Sequence, residues 1–232
     1  MRFGKAVVYQ PDAGCCDADG TVAALHRRAV AHGAVVRLDV GAVVVEPSAD
    51  GVVVHASDGD YRSPTAVVAC GAWAAKALAG LVELPPLLVT REQIFYFTPG
   101  DDGADWPSFI HHRAPAPYVY GLDTPGVGVK VAEHHTGAPT DADERSFDVD
   151  TEGRRRVAEY VETWFPGLRP EPVAAETCLY TTTPTADFVV DRAGPLTVAA
   201  GFSGHGFKFT PLIGRLVADL ALGRGAPERF RL

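Results

Sequence analysis

From Thr21 to Gly33 the apolar residues Val22, Leu25 and Ala29 recur at intervals of three and four, after an acidic Asp19 and before a glycine. That spacing predicts an amphipathic helix with a polar start and a glycine stop. The pattern then shortens to β-branched runs: AVVRLDV at 34–40, GAVVVEPSADGVVVHAS at 41–57 and DYRSPTAVVAC at 60–70, punctuated by Asp50–Gly51 and Asp58–Gly59. Such runs between Asp-Gly turns predict a small β-meander. TAVVACGAWAAKALAGL, residues 65–81, passes from a buried strand through Gly71 into an alanine-rich helix.

Beyond Leu87 the strands lengthen and carry aromatics: LLVTREQIFYFTP, PSFIHHR, PYVYGL and GVGVKVAEHH, separated by Pro, Gly and Asp. A mixed or antiparallel sheet is expected. The acidic stretch GAPTDADERSFDVD, 137–150, reads as a loop. It leads into TEGRRRVAEYVETWFPG, a helix with Glu152 near its start and Pro166–Gly167 as its stop. Strands around PVAAETCLYTTT, DFVVD and LTVAA and a closing helix, LIGRLVADLAL, complete the chain, with no internal repeat.

Composition narrows the class. With 232 residues, 47% hydrophobic and 22% charged, the chain has material for one large domain or two interlocked ones. A formal net charge of −8 argues against a general nucleic-acid binder, and the one basic run, Arg154 to Arg156, reads as a solvated turn of a surface helix. No apolar window approaches the roughly 18 residues of a membrane span. The N-terminal residues lack a leader pattern, so a cytoplasmic protein without membrane contact is expected. Cys15, Cys16, Cys70 and Cys178 make neither a disulfide scaffold nor a paired zinc motif.

Chemistry concentrates in three places. GFSGHGFKF, 201–209, lies where the strand LTVAA hands over to the last helix, a position that offers backbone N–H groups and positive helix dipole to an anionic or electron-rich ligand. His205 and Lys208 there either face a cofactor or carboxylate from one side of a first helical turn, or belong to an ordinary capped helix start. Lys130 alternates with Val129 and Val131, so it is either inward and desolvated or on an open sheet face. His134 and His135 follow it without further metal ligands at suitable spacing, and no metal is expected. Cys178, in a β-branched and aromatic strand, reads as a small buried hydrophobe or, with partners the sequence does not place, a nucleophile.

Taken in order, VVACGAW (67–73), YG (120–121), GVKVAEHH (128–135), ETCLYTTTPTADFVVD (176–191) and GFSGHGFKF resemble the flavin-dependent amine oxidase family that includes monomeric sarcosine oxidase and N-methyltryptophan oxidase, within the D-amino-acid-oxidase-like group. The resemblance spans essentially the whole chain and is most specific in the last third. It implies an α/β fold of mixed α+β character, an incomplete FAD-binding Rossmann-like domain interleaved with an antiparallel or mixed-sheet substrate domain. Residues 1–82 and 181–232 would belong to the FAD-binding part and 83–180 to the substrate sheet. Cys178 corresponds to the cysteine that tethers FAD through a thioether, and Lys130 to the lysine that promotes electron transfer to O2. Lys208 corresponds to a residue that holds the substrate carboxylate, while Tyr120 and His134 line the amino-acid pocket and His205 falls beside the flavin. Gly71, Ala72 and Trp73 match the turn approaching the dinucleotide. Gly201, Phe202, Gly204 and Gly206 complete the cofactor-facing set.

The implied reaction oxidises the CH–NH bond of an N-methyl amino acid, with O2 as acceptor and imine and hydrogen peroxide as products. The family opens with a strand–GxGxxG–helix unit for the FAD pyrophosphate, and this chain contains no GxGxxG. Met1 falls near the middle of the family's length, and an arginine that shares carboxylate binding lies in the part not matched. Weak FAD binding, little activity alone and uncovered apolar surface are therefore expected unless a partner chain supplies that unit. Two further readings stand beside the oxidase: a non-catalytic fragment or substrate-half subunit, and a dehydrogenase relative with another electron acceptor.

Overall fold

The computed structural model describes residues 6–100, 106–225 and 227–232. The expected FAD-binding segment 1–82 therefore begins, at residues 1–5, outside the described residues. In chain order the elements are α1 (Ala18–Ala31), β1 (Val44–Ser48), β2 (Gly51–Ala56), β3 (Gly59–Ser63), β4 (Ala66–Val68), α2 (Ala74–Ala77), β5 (Leu88–Pro99), β6 (Phe109–Arg113), β7 (Ala116–Thr124), β8 (Gly128–Glu133), β9 (Ala138–Pro139), α3 (Thr151–Trp164), β10 (Leu168–Thr182), β11 (Val189–Ala193), β12 (Leu196–Ala200) and α4 (Thr210–Ala221). The described residues divide into two compact units: 6–15 with 90–100 and 106–179, and 16–89 with 180–225 and 227–232.

The 16–89 and 180–232 unit holds two three-stranded sheets, β1-β2-β3 and β11-β12-β4. The meander forms as its pattern predicts, with Ser48 paired to Gly51 and Ala56 to Gly59. The glycines close the hairpins and the turns are Ala49–Asp50 and Ser57–Asp58; a Cβ on Gly51, at φ +142°, would lie 2.2 Å from the Ser63 carbonyl oxygen. β12 pairs antiparallel with β11 and parallel with β4. One core joins Val52, Val68, Leu78, Leu196 and Val198; a second joins Phe188 and Val190 to Ile213 and Leu220, which share the buried stripe of α4. Each such side chain removed from water contributes about 1.5–3 kcal/mol.

Two expectations are corrected here. AVVRLDV is not a strand: residues 34–40 are irregular, with Val35 and Leu38 exposed, and they join none of the described sheets; the Val40 carbonyl accepts instead from the Ser57 hydroxyl at 2.7 Å. The alanine-rich helix is a 3-10 turn at Gly71–Trp73 and the single turn α2, stopped near Gly80 at φ +73°. Helix α1 forms, capped by the Asp17 side chain accepting from the Gly20 N–H at 3.0 Å, yet none of its residues is buried. Val22, Leu25 and Val30 on its apolar stripe stay exposed.

The 90–179 unit is built on a sheet of order β10-β5-β8-β7-β6, with β9 beside β5 and antiparallel pairing at β5–β8, β7–β8 and β6–β7. Helix α3 covers one face. Asp150 caps it, accepting from the Gly153 N–H at 2.7 Å, and Val157, Tyr160 and Val161 pack on Phe95, Phe97, Val129 and Val131. The Arg154–Arg156 run is ion-paired: Arg154 with Glu171, Arg155 with Glu152 and Glu159, Arg156 with Glu133. Among the described residues no helix is long and apolar enough to cross a membrane.

Candidate active site

Strand alternation sends neighbouring residues of β8 to opposite faces. Val129 and Val131 go to the α3 side, so Lys130, Ala132 and the following His134 take the other. Register then chooses their neighbours: Lys130 lies opposite Tyr96 of β5 and Leu122 of β7, and Ala132 opposite Tyr120. The Lys130 Nζ stands 5.9 Å from the centre of the Tyr120 ring, and that ring meets the His134 imidazole edge-on at 5.9 Å. The Tyr96 hydroxyl donates to Glu176 Oε2 of β10 at 3.4 Å, which brings Glu176 to this face and, two residues along, Cys178. Lys130, Tyr120, His134 and Cys178 are thus gathered on one side of one sheet.

The electrostatics are those of a half-buried polar surface. Burial pushes the Cys178 thiol up; Lys130 and Arg145 oppose that shift, while Glu92 and Glu176 reinforce it. Burial also pushes the Tyr96 hydroxyl up to about 12, aided by Glu176, so the phenol remains a donor at neutral pH. Arg145 donates to the Thr177 carbonyl at 3.1 Å and so braces the strand next to Cys178, while its guanidinium lies 4.2 Å from the Phe147 ring centre.

Glu92, Tyr96, Arg145 and Glu176 escaped the motif reading. The available signal is the alternation Thr90, Glu92, Ile94, Tyr96, which places a carboxylate and a phenol on the lysine's face; Glu92 is 1% exposed.

The glycine-rich turns belong to the other unit. Gly71 lies three residues past Val68 and Gly201 three past Val198, and Val68 and Val198 are register partners in the parallel pair β4–β12. Two glycines with φ of +53° and +65° therefore stand level at the carboxyl ends of neighbouring parallel strands. That is the place where open α/β sheets bind ligands. Nothing lies within 4 Å of a Cβ built on Gly71, so its neighbours leave space there; Ala72 and Trp73 continue the turn, with Trp73 43% exposed.

The 201–209 loop is a tight, self-packed turn. Ser203, fully buried at φ +50°, donates from its N–H to the Thr181 carbonyl and from its hydroxyl to the Gly201 carbonyl, both at 2.9 Å. A Cβ on Gly204 would lie 2.3 Å from the Tyr180 ring, and one on Gly206 would lie 2.6 Å from Phe202. His205 and Lys208 do not project together from a helical turn. The His205 ring packs 5.0 Å from Phe188, whereas Lys208, in the 3-10 turn Phe207–Phe209, is exposed and donates from Nζ to the His205 carbonyl at 3.1 Å. Among the described residues no cluster of His, Cys, Asp and Glu is arranged to hold a metal ion.

Taken each by itself, the left-handed glycines at paired strand ends suit the close approach of a dinucleotide, and a cation beside phenols and a thiol on a sheet face suits a redox-active ring. The family model "FAD dependent oxidoreductase" matches residues 2–220, and the chain belongs to that family. Among curated relatives, a monomeric sarcosine oxidase of Streptomyces avermitilis is 33% identical over 230 residues, covering 94% of this chain and 59% of its own length. An N-methyl-L-tryptophan oxidase of Salmonella heidelberg is 28% identical over 182 residues, 75% of this chain and 48% of its own. The open form of NikD, an unusual amino acid oxidase essential for nikkomycin biosynthesis, superposes with a TM-score of 0.78 at 28% identity, covering 90% of this chain and 58% of NikD. The chain therefore spans somewhat over half the length of the fullest matches.

Proposed function

We propose that this chain is part of a flavin-dependent oxidase of secondary amino acids, acting on an N-methyl amino acid of the sarcosine type with dioxygen as acceptor. The gathering of Lys130, Tyr120, His134 and Cys178 on one sheet face carries the reading. The chemistry a bound flavin supplies is two-electron oxidation of the CH–NH unit to an imine, with dioxygen reduced to hydrogen peroxide. Lys130 is the fixed cation that stabilises negative charge developing on dioxygen, an effect far stronger in a dry site than in water. Tyr120 and His134 line the amino-acid pocket and Lys208 holds the carboxylate. Cys178 is the thioether anchor of the cofactor; Gly71, Ala72, Trp73 and Gly201, Phe202, Gly204, His205 and Gly206 are the turns that approach it.

A second reading is favoured by the uncovered stripe of α1: the chain is a substrate-half subunit whose GxGxxG unit comes from another polypeptide. One experiment separates them. The chain is purified alone and after co-expression with a strand–GxGxxG–helix segment, then assayed for flavin absorbance, flavin retained through acid precipitation, and peroxide from sarcosine. Peroxide from sarcosine supports the oxidase reading in whichever preparation yields it; colour only on co-expression supports the subunit reading. No flavin in either preparation overturns both. In the active preparation Lys130→Met is expected to slow reoxidation by O2 at least about tenfold while leaving anaerobic reduction by sarcosine within about twofold.

A further inference from the structure

We propose that Glu92 is a positioning residue for His134: its buried carboxylate sits in a nest of backbone N–H groups and fixes the turn that carries the histidine. The inference deepens the oxidase reading and rests on it for His134's role. The side chain of Glu92 leaves β5 on the Lys130 face. Its Oε2 accepts from the Thr136 N–H at 3.1 Å and the Gly137 N–H at 2.9 Å, and its Oε1 accepts from the Thr90 hydroxyl at 2.6 Å. The two consecutive amides converge on one oxygen immediately after His135, which adopts the left-handed φ of +57°.

That conformation is unfavourable for a residue with a Cβ and persists only where surroundings enforce it. Here the Glu92 carboxylate, accepting from the two amides that follow His135, holds the turn. Gly137 makes the approach feasible, since a Cβ there would lie 2.4 Å from the Arg91 carbonyl oxygen and 2.7 Å from Glu92 Oε1. On the other side of His134, Glu133 is held by Arg156 at 2.9 Å, and the His134 N–H donates to the Tyr118 carbonyl at 2.9 Å. The imidazole is thus fixed against Tyr120 by anchors before and after it. A carboxylate at position 92 suits the task because hydrogen bonds to an ionised acceptor are about twice as strong as neutral ones.

The test uses the full 232-residue chain. In the wild type, hydrogen exchange by NMR is expected to show the Thr136 and Gly137 amides at least about tenfold slower than that of the exposed Phe147 further along the same loop. Equal exchange overturns the proposal without any variant. In Glu92→Ala those amides lose their protection and the His134 ring signals shift and broaden, whereas His55 signals stay in place; Glu92→Gln, which keeps one oxygen on the nest, restores most of the wild-type ring signature. Unmoved His134 signals in a folded Glu92→Ala also overturn it. In flavin-loaded, active protein, Glu92→Ala is expected to raise KM for sarcosine about tenfold with kcat within about threefold, and Glu92→Gln to bring KM back to within about threefold of wild type. Altered ring signals in Glu92→Ala together with no sarcosine turnover by flavin-loaded wild type would refute the oxidase reading and leave the positioning role standing.

Discussion

Gly204→Ala tests whether the 201–209 turn is held by steric closure. The substitution asks alanine to adopt φ +76°, which costs an L-residue about 1–2 kcal/mol. It also drives a methyl group to within 2.3–2.5 Å of three Tyr180 ring atoms. Tyr180 is 8% exposed and cannot swing into solvent freely, so overpacking adds about 1–3 kcal/mol. The sum is a loss of about 2–5 kcal/mol. Gly71→Ala isolates the first contribution: φ is +53° but nothing lies within 4 Å of the new Cβ, so about 1–2 kcal/mol is expected. Gly214→Ala in α4 has neither problem and is expected to stabilise by about 0.5–1 kcal/mol through helix propensity. Urea unfolding followed by circular dichroism and tryptophan fluorescence gives the three values from midpoints and m. A Gly204→Ala loss no larger than that of Gly71→Ala would show that Tyr180 does not close the turn, and the steric argument would fall.

Three further outcomes are expected. His55 is pushed up from its ordinary value near 6.5 by hydrogen bonds to Asp60 and Glu46, so its stabilising contribution is complete below pH 6.5 and is lost as pH rises through the raised value; an imidazole titration by NMR that falls at or below 6.5 contradicts this. Arg156→Ala leaves the 9%-exposed Glu133 carboxylate, among the described residues, with Arg113 at 3.5 Å as its ion-pair partner and should cost about 2 kcal/mol in a urea melt, against less than about 0.5 for Arg155→Ala, whose pairs are solvated. Equal losses would show that Glu133's burial is irrelevant. Because burial pushes the Cys178 thiol up while Cys15 and Cys16 are exposed, iodoacetamide at pH 8 should label the latter pair first, as read by mass spectrometry; equal labelling rates would contradict a desolvated Cys178.

The long periodic segments were legible because their apolar positions match the faces they bury. Val157, Tyr160 and Val161 of α3, and Ile213 and Leu220 of α4, are the residues their spacing selects. AVVRLDV was misread because a β-branched run makes a strand only when another strand pairs with it. Glu92 went unseen because a glutamate in a strand reads as solvent-facing, and only the Thr136–Gly137 amides, 44 and 45 residues away, make its burial tolerable. Ser203 was passed over between glycines, although its left-handed, fully buried backbone organises the loop.

By itself the sequence determined the order of strands and helices, their glycine and aspartate punctuation, the alternation that separates Lys130 from Val129 and Val131, and the motifs that mark the family. These are local properties, written in side-chain spacing and backbone preference. Tertiary structure decided which residues meet. Pairing of Val198 with Val68 levels two glycines 130 residues apart, and pairing of Lys130 with Tyr96 and Leu122 chooses the company of the cation. A one-residue slip in either register would turn those side chains to the opposite face, and only the burial of whole strands against α3 and α4 forbids it.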